Sequence, residues 1–252
     1  MSSAFLRAIL LAAFAAAGGA AFAAHPLQTE DTGTQGAANL ELENGFSRER
    51  DRDAGATTVL AWQPQLSVGA APTVDAIVQP SLVSVRARGA ATRSGAGDTN
   101  LDLKWRFLGV DPWSLAVRAG LELPTARAGL GLRHGQLGEH VLLVATCDAA
   151  PTTLHANLGA THVPPAPGVR ATSALVSAAL LQQVDERLAL TVDGQFTQDP
   201  DPARRAWPGD VLAGAIWTLR PGLDVDVGWQ ASLRAEPASR QWLAGLTWRF
   251  SP

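Results

Sequence analysis

The stretch TNLDLKWRF, residues 99–107, decides the fold. Leu101, Leu103, Trp105 and Phe107 alternate with Asn100, Asp102, Lys104 and Arg106. Successive side chains of a strand point to opposite faces, so this segment has one apolar wall and one polar, largely charged wall. Four other segments repeat the scheme. In WSLAVRAGLEL (113–123), Trp113, Leu115, Val117 and Leu121 oppose Ser114, Arg118 and Glu122. In LALTVDGQF (188–196), Thr191, Asp193 and Gln195 form the polar side, with Arg187 just before them. In LDVDVGWQASL (223–233), Val225, Val227 and Trp229 oppose Asp224, Asp226 and Gln230. In QWLAGLTWRF (241–250), Trp242, Ala244, Leu246, Trp248 and Phe250 share one face.

Each run is about 9–11 residues long, the length a tilted strand needs to cross a bilayer. Strands of ordinary domains average about five or six. Long alternating strands with charge on the second face suit a cylinder with lipid outside and water inside. Weaker strands fall near 39–47, 57–68, 73–86, 138–147, 152–162, 170–183 and 209–219. Both faces of 138–147 and 170–183 are apolar, which leaves their phase open. The expected fold is all-β: a transmembrane up-and-down antiparallel β-barrel of about 12 strands over residues 39–250.

The connections give independent support. Long links (SRERDRDAGA, ARGAATRSGAG, PTARAGLGLRHGQLG, VPPAPGV, TQDPDPARRAWPG, RAEPAS) take turns with short ones (GAAP, GVDP, CDAAP, VDE, RPG). A barrel with both chain ends in the periplasm has this order, with long external loops and tight periplasmic turns. Pro and Gly mark most of the turns. Trp105, Trp113, Trp217 and Trp248 lie near expected periplasmic strand ends, as an interfacial aromatic girdle requires, although strand propensity alone also favours aromatics. The last strand ends on Phe250 with alternating apolar residues before it, a signal for the barrel-assembly machinery, though Ser251 and Pro252 follow.

Residues 1–23 read as a signal peptide. One early charge, Arg7, precedes an Ala-rich apolar run, and Ala21 and Ala23 form a small-x-small cleavage site. The run is too weak for a membrane anchor. The single Cys147 excludes an internal disulfide, and a net charge of −3 gives no reason to expect nucleic acid.

The segments HPLQTEDTGTQG (25–36), GDTNLDLKWRF (97–107), GLELPTAR (120–127) and GLTWRF (245–250) together resemble the outer-membrane transporter family named after the meta-pathway of phenol degradation. The likeness runs through nearly the whole mature chain. Pro252 and the lack of Tyr depart from it. It implies an outer-membrane channel or transporter of a Gram-negative bacterium for small, aromatic or hydrophobic solutes, and it transfers architecture more safely than cargo.

Residues 24–38 are expected to form a periplasmic N-terminal segment, of which 25–36 can build neither a helix nor a strand. Thr29, Glu30, Asp31, Thr32 and Gln35 offer many hydrogen-bonding groups, and Gly33 and Gly36 allow tight bends. Two readings stay open: a plug folded against the periplasmic mouth, or a mobile leader. The expected lumen lining includes Asp102, Lys104, Arg106, Arg118, Glu122, Asp193, Gln195, Asp224 and Asp226, with Asp98, Arg187 and Arg249. These charges either line a selective path or satisfy one another and stiffen the wall. About twelve strands lie between the filled eight-stranded barrel and the open porin, so the pore should be narrow.

No catalytic residue is expected. His155 and Asn157 share one strand face with Thr153 and Thr161, but no Ser–His pairing accompanies them. No metal site or cofactor is expected, since His25, His134 and His140 lack ligand spacing; Cys147 reads as a small apolar residue. Expected partners are outer-membrane lipids, the assembly machinery and a small-molecule solute. Lipopolysaccharide joins them, because Arg48, Arg50, Arg52, Arg93, Arg204 and Arg205 fall in expected external loops.

Overall fold

The computed structural model describes residues 25–51, 57–126, 136–164, 169–199, 201–233 and 239–251. The expected signal peptide, Arg52 and His134 lie outside them. The described residues form fourteen β-segments and no helix: β1 (Leu40–Asp51), β2 (Thr58–Ala71), β3 (Val74–Gln79), β4 (Leu82–Arg86), β5 (Arg93–Ala96), β6 (Thr99–Val110), β7 (Trp113–Leu123), β8 (Gly138–Ala149), β9 (Thr152–His162), β10 (Thr172–Gln183), β11 (Leu188–Thr197), β12 (Gly209–Arg220), β13 (Leu223–Ser232) and β14 (Ser239–Phe250).

Every pairing is antiparallel, and β1 bonds to both β14 and β2, so the sheet closes on itself. Two of the wall's strands are broken in two. β3 and β4 both pair with β2, β3 along its periplasmic half and β4 along its external half, with Pro80 between them. Proline has no N–H to give the ladder, which accounts for the break. β6 pairs with β3 and β5 with β4, with Gly97 and Asp98 at the second break. Counting each broken strand once gives a closed barrel of twelve strands, the number read from the sequence.

Some boundaries are corrected. β1 continues through Asp51, so Arg48 and Arg50 stand on a strand and not in a loop. Arg93 opens β5 inside a stretch expected to be loop. In both places ladder partners, Trp242 and Arg240 on β14 and Val85 on β4, extend strands whose sequences are too polar to show it. Arg204 and Arg205 do lie between β11 and β12.

The alternation fixes the two faces. Leu101, Leu103, Trp105, Leu143, Leu158, Val192, Val227 and Trp242 are exposed on the outer wall. Asp102, Lys104, Thr191, Asp193, Asp224 and Asp226 are buried on the inner one. The two segments of open phase are settled by the sheet. β8 turns Val144 and Thr146 inward, and β10 turns Ser177, Ala179 and Leu181 inward, all buried. With Ala116, Ala189 and Ile216 these make the periplasmic third of the lumen partly apolar. The tight β12–β13 turn uses Gly222 at φ +77°, a left-handed conformation that suits glycine.

Leu158 is 57% exposed, near the middle of β9, and paired with Leu143 and Val176. Leu158→Arg is expected to lower stability by about 2–4 kcal/mol, read by denaturant titration in lipid vesicles. An unchanged midpoint would show that this wall does not face lipid.

Candidate functional site

Residues 25–36 run along the inner wall. From Asn39 the chain is held at the periplasmic rim by β2, where Ala38 N donates to Gly69 O at 2.8 Å and Gly69 N donates to Asn39 O at 2.9 Å. Gln35 N donates to both carboxylate oxygens of Asp75 at 3.1 Å, and its side-chain amide donates to Glu41 at 2.8 Å. Thr32 N donates to Thr146 Oγ1 at 3.2 Å, and Thr32 Oγ1 meets Ser114 Oγ. Glu30 and Asn157 exchange two bonds: Glu30 N to Asn157 Oδ1 at 2.7 Å, and Asn157 Nδ2 to Glu30 O at 2.9 Å. Asp193 accepts from Gln28 N, Thr29 N and Thr29 Oγ1 at 2.6, 2.8 and 2.8 Å. At the far end His25 Nδ1 lies 2.5 Å from Asp226 Oδ1. The segment thus meets β1, β2, β3, β7, β8, β9, β11 and β13, most of the way around the cylinder.

Glu30 is the electrostatic centre. Its carboxylate accepts from Lys104 Nζ at 2.8 Å and from Arg118 Nη1. Arg118 also binds Asp102 through Nε at 2.8 Å, and His140 Nε2 stands 2.8 Å from the other Asp102 oxygen. Asp31 is 3.7 Å from Lys104. Burial acting alone would raise the Glu30 carboxyl. The two cations outweigh it and hold the group at about 2, below the usual 4.5. A second cluster crosses the join between β1 and β14, where Arg249 binds Glu41 at 2.8 Å and Asp224 at 2.6 Å. Thr218 donates to the remaining oxygen of Asp224 at 2.7 Å.

Glycines make room for this arrangement. A Cβ on Gly245 would stand 2.3 Å from the His25 ring, and one on Gly45 2.9 Å from it. Pro26 is equally close to Gly214 and Gly228, at 2.9 and 3.0 Å. A Cβ on Gly69 would lie 1.7 Å from the Gly36 carbonyl oxygen, and one on Gly120 would strike Asp102. All six point inward by strand phase. Sequence reasoning missed them; their signal is a glycine at an inward position of a long alternating strand, where a side chain would otherwise fill the lumen.

Of the expected lining residues, Asp102, Lys104, Arg118, Asp193, Asp224 and Asp226 are drawn together by ion pairs or the segment. Glu122 borders a cavity instead. Arg106, beside a register shift in the β6–β7 pairing, and Gln195 are half-buried and make no side-chain hydrogen bond or ion pair with these groups among the described residues. Arg187 is exposed at a turn, and Asp98 accepts from Ala126 N at 2.9 Å. Thr29, Glu30 and Thr32 are buried, and Asp31 and Gln35 half-buried. His155 faces inward against Thr146 Oγ1 at 2.9 Å, and Asn157 is a docking residue for the segment. Externally to the segment the lumen keeps two cavities, of about 310 and about 400 Å³. Gln28, Glu30 and Arg118 border both.

This is the architecture of an outer-membrane β-barrel with its own chain inside. Among solved structures it is similar to the COG4313 outer membrane channel from Pseudomonas putida F1, with a TM-score of 0.69 and 14% identity over 89% of this chain and 99% of that one. It is also similar to the KdgM porin solved in complex with disordered oligogalacturonate (TM-score 0.55, 7% identity, 83% and 99% covered). The NanC porin gives a TM-score of 0.55 at 8% identity, with 83% and 98% covered. At these identities the likeness is one of fold: barrels of the Gram-negative outer membrane. No family model and no curated protein sequence matches the chain, so the name drawn from phenol degradation has no support from that side.

Two outcomes test the site. Because its folded-state pKa is depressed, the docking that Glu30 contributes is complete at neutral pH and lost as pH falls through about 2. Pepsin should therefore leave residues 25–36 intact at about pH 4 and cut them as pH approaches about 2; cleavage already complete at the higher value would refute it. Gly245→Val should expel the His25 ring and raise proteolysis of the segment at neutral pH by about tenfold or more, whereas an unchanged cleavage rate would count against the tight fit.

Proposed function

We propose that this protein is an outer-membrane channel for small solutes and that residues 25–36 act as its plug. The single observation that carries this reading is the seating of the segment on inward glycines. A closed structural barrel fills its lumen with its own inward side chains. Here the wall leaves room, and a strip of chain that joins the wall near Asn39 occupies it. A filler of that kind can withdraw without unfolding the wall.

In this reading Asp102, Lys104, Arg106, Arg118, Glu122, Asp193, Gln195, Asp224 and Asp226 line the path once the segment leaves. The resemblance to the phenol-pathway family adds aromatic or hydrophobic cargo, and the larger cavity offers Leu142 and Leu175 for such solutes. Outside, Arg48, Arg50 and Arg240 are exposed toward the external end of β1 and β14, suited to the phosphates of lipopolysaccharide. Phe250, tilted against Trp248 at a ring distance of 4.3 Å, ends the strand offered to the assembly machinery.

Deleting residues 25–36 should raise single-channel conductance in planar bilayers by about twofold or more. Conductance equal to that of the intact chain would rule out the plug.

A further inference from the structure

The smaller cavity has an unusual wall. Gln63 and Gln65 of β2, Gln79 of β3, Gln241 of β14 and Gln28 of the segment converge on it, with Ser47 of β1. Strand phase turns all the wall amides inward. Among the lining residues no Phe, Trp or Tyr ring does the same: Phe46 puts its side chain on the outer face, half exposed and stacked on Trp62, and the one ring at the cavity floor is the imidazole of His25, held by Asp226.

The charged groups at the floor already have partners. Glu30 is held by Lys104 and Arg118. Glu43 accepts from Gln65 Nε2 at 2.7 Å. Gln28 donates to Gln230 at 2.9 Å, and Gln79 accepts from Asn100 at 3.4 Å. The side-chain amides of Gln63 and Gln241, by contrast, have no hydrogen-bond partner among the described residues. Each amide presents two donors and an acceptor without net charge. A neutral solute carrying several hydroxyls answers both kinds of group. An unsubstituted hydrocarbon answers neither and leaves polar groups without partners. An anion finds no free cation there, because the one guanidinium at the cavity, Arg118, is already taken up by Glu30, Asp102 and Gln65. At about 310 Å³ the cavity stands at the lower end of the size of small-molecule sites, about 300–1,000 Å³.

We infer that this amide-lined cavity is a binding site for a small uncharged polyhydroxylated solute, a polyol or a sugar of one ring. The inference rests on the channel reading for its purpose and names a solute class other than the aromatic or hydrophobic one offered by the resemblance. A passage that binds a neutral solute weakly on the external side of the plug concentrates that solute where withdrawal of the plug would let it pass.

The experiment uses the full mature chain in detergent, with D-arabinose as probe and gluconate as its anionic counterpart, followed by saturation-transfer NMR. Saturable arabinose binding is expected, weakened about tenfold or more in Gln63→Leu/Gln241→Leu, a loss of two hydrogen-bonding groups. The variant Gln63→Asn/Gln241→Asn keeps the amides and should retain binding. Gluconate should bind far more weakly. Absence of saturable arabinose binding, equal binding by the leucine variant, or equal binding of gluconate each overturns the proposal. Solute flux into liposomes is measured beside it: binding without flux would leave this site standing and remove the channel reading, while flux without binding does the reverse.

Discussion

The lumen is organised around one carboxylate. Lys104 and Arg118 stand on adjacent strands, paired Cα to Cα, and both point into a space from which most water is excluded. Two buried cations side by side are costly without an anion between them. Of these two cations Asp102 pairs with Arg118, while its other oxygen faces His140, and Glu30 reaches both. That anion does not belong to the wall. The barrel's electrostatics are therefore completed by a strip of chain that precedes its first strand, and the remaining contacts of the strip, at Asp75, Thr146, Asn157, Asp193 and Asp226, orient it so that Glu30 arrives where it is needed.

Most of the wall could be read from the sequence because lipid and water impose opposite demands at alternate residues. Leu103 and Lys104 cannot exchange places without a charge facing hydrocarbon, so phase followed from polarity. Where that contrast is missing, legibility fails for the same reason. The segments that became β8 and β10 carry Val144, Ala179 and Leu181 inward, against an apolar patch, and only hydrogen-bonding neighbours settle their phase. The break at Pro80 and the length of β1 beyond Ser47 likewise depend on partners distant in sequence.

The site was legible in its members and not in its connections. Thr29, Glu30, Asp31, Thr32 and Gln35 stand out as a polar run, and the inward charges stand out as a set. Nothing in either list says that Glu30 reaches past Asp31 to bind two cations more than 70 residues away. Asn157 could be placed on an inward strand face beside His155, but its two bonds to the Glu30 backbone could not. The glycines carried the missing information, since Gly45, Gly69, Gly214, Gly228 and Gly245 are positions where the wall gives up a side chain to admit another part of the chain.

The seat of His25 has a bearing on biogenesis. Gly45 and Gly245 face each other across the join between the first strand and the last, and Arg249 ties Glu41 to Asp224 along the same join. That seat does not exist in an open sheet. His25 can take that seat only once the cylinder has shut, whereas the contacts of the strip at Asp193, Asn157 and Thr146 lie on strands away from the join and do not wait for it.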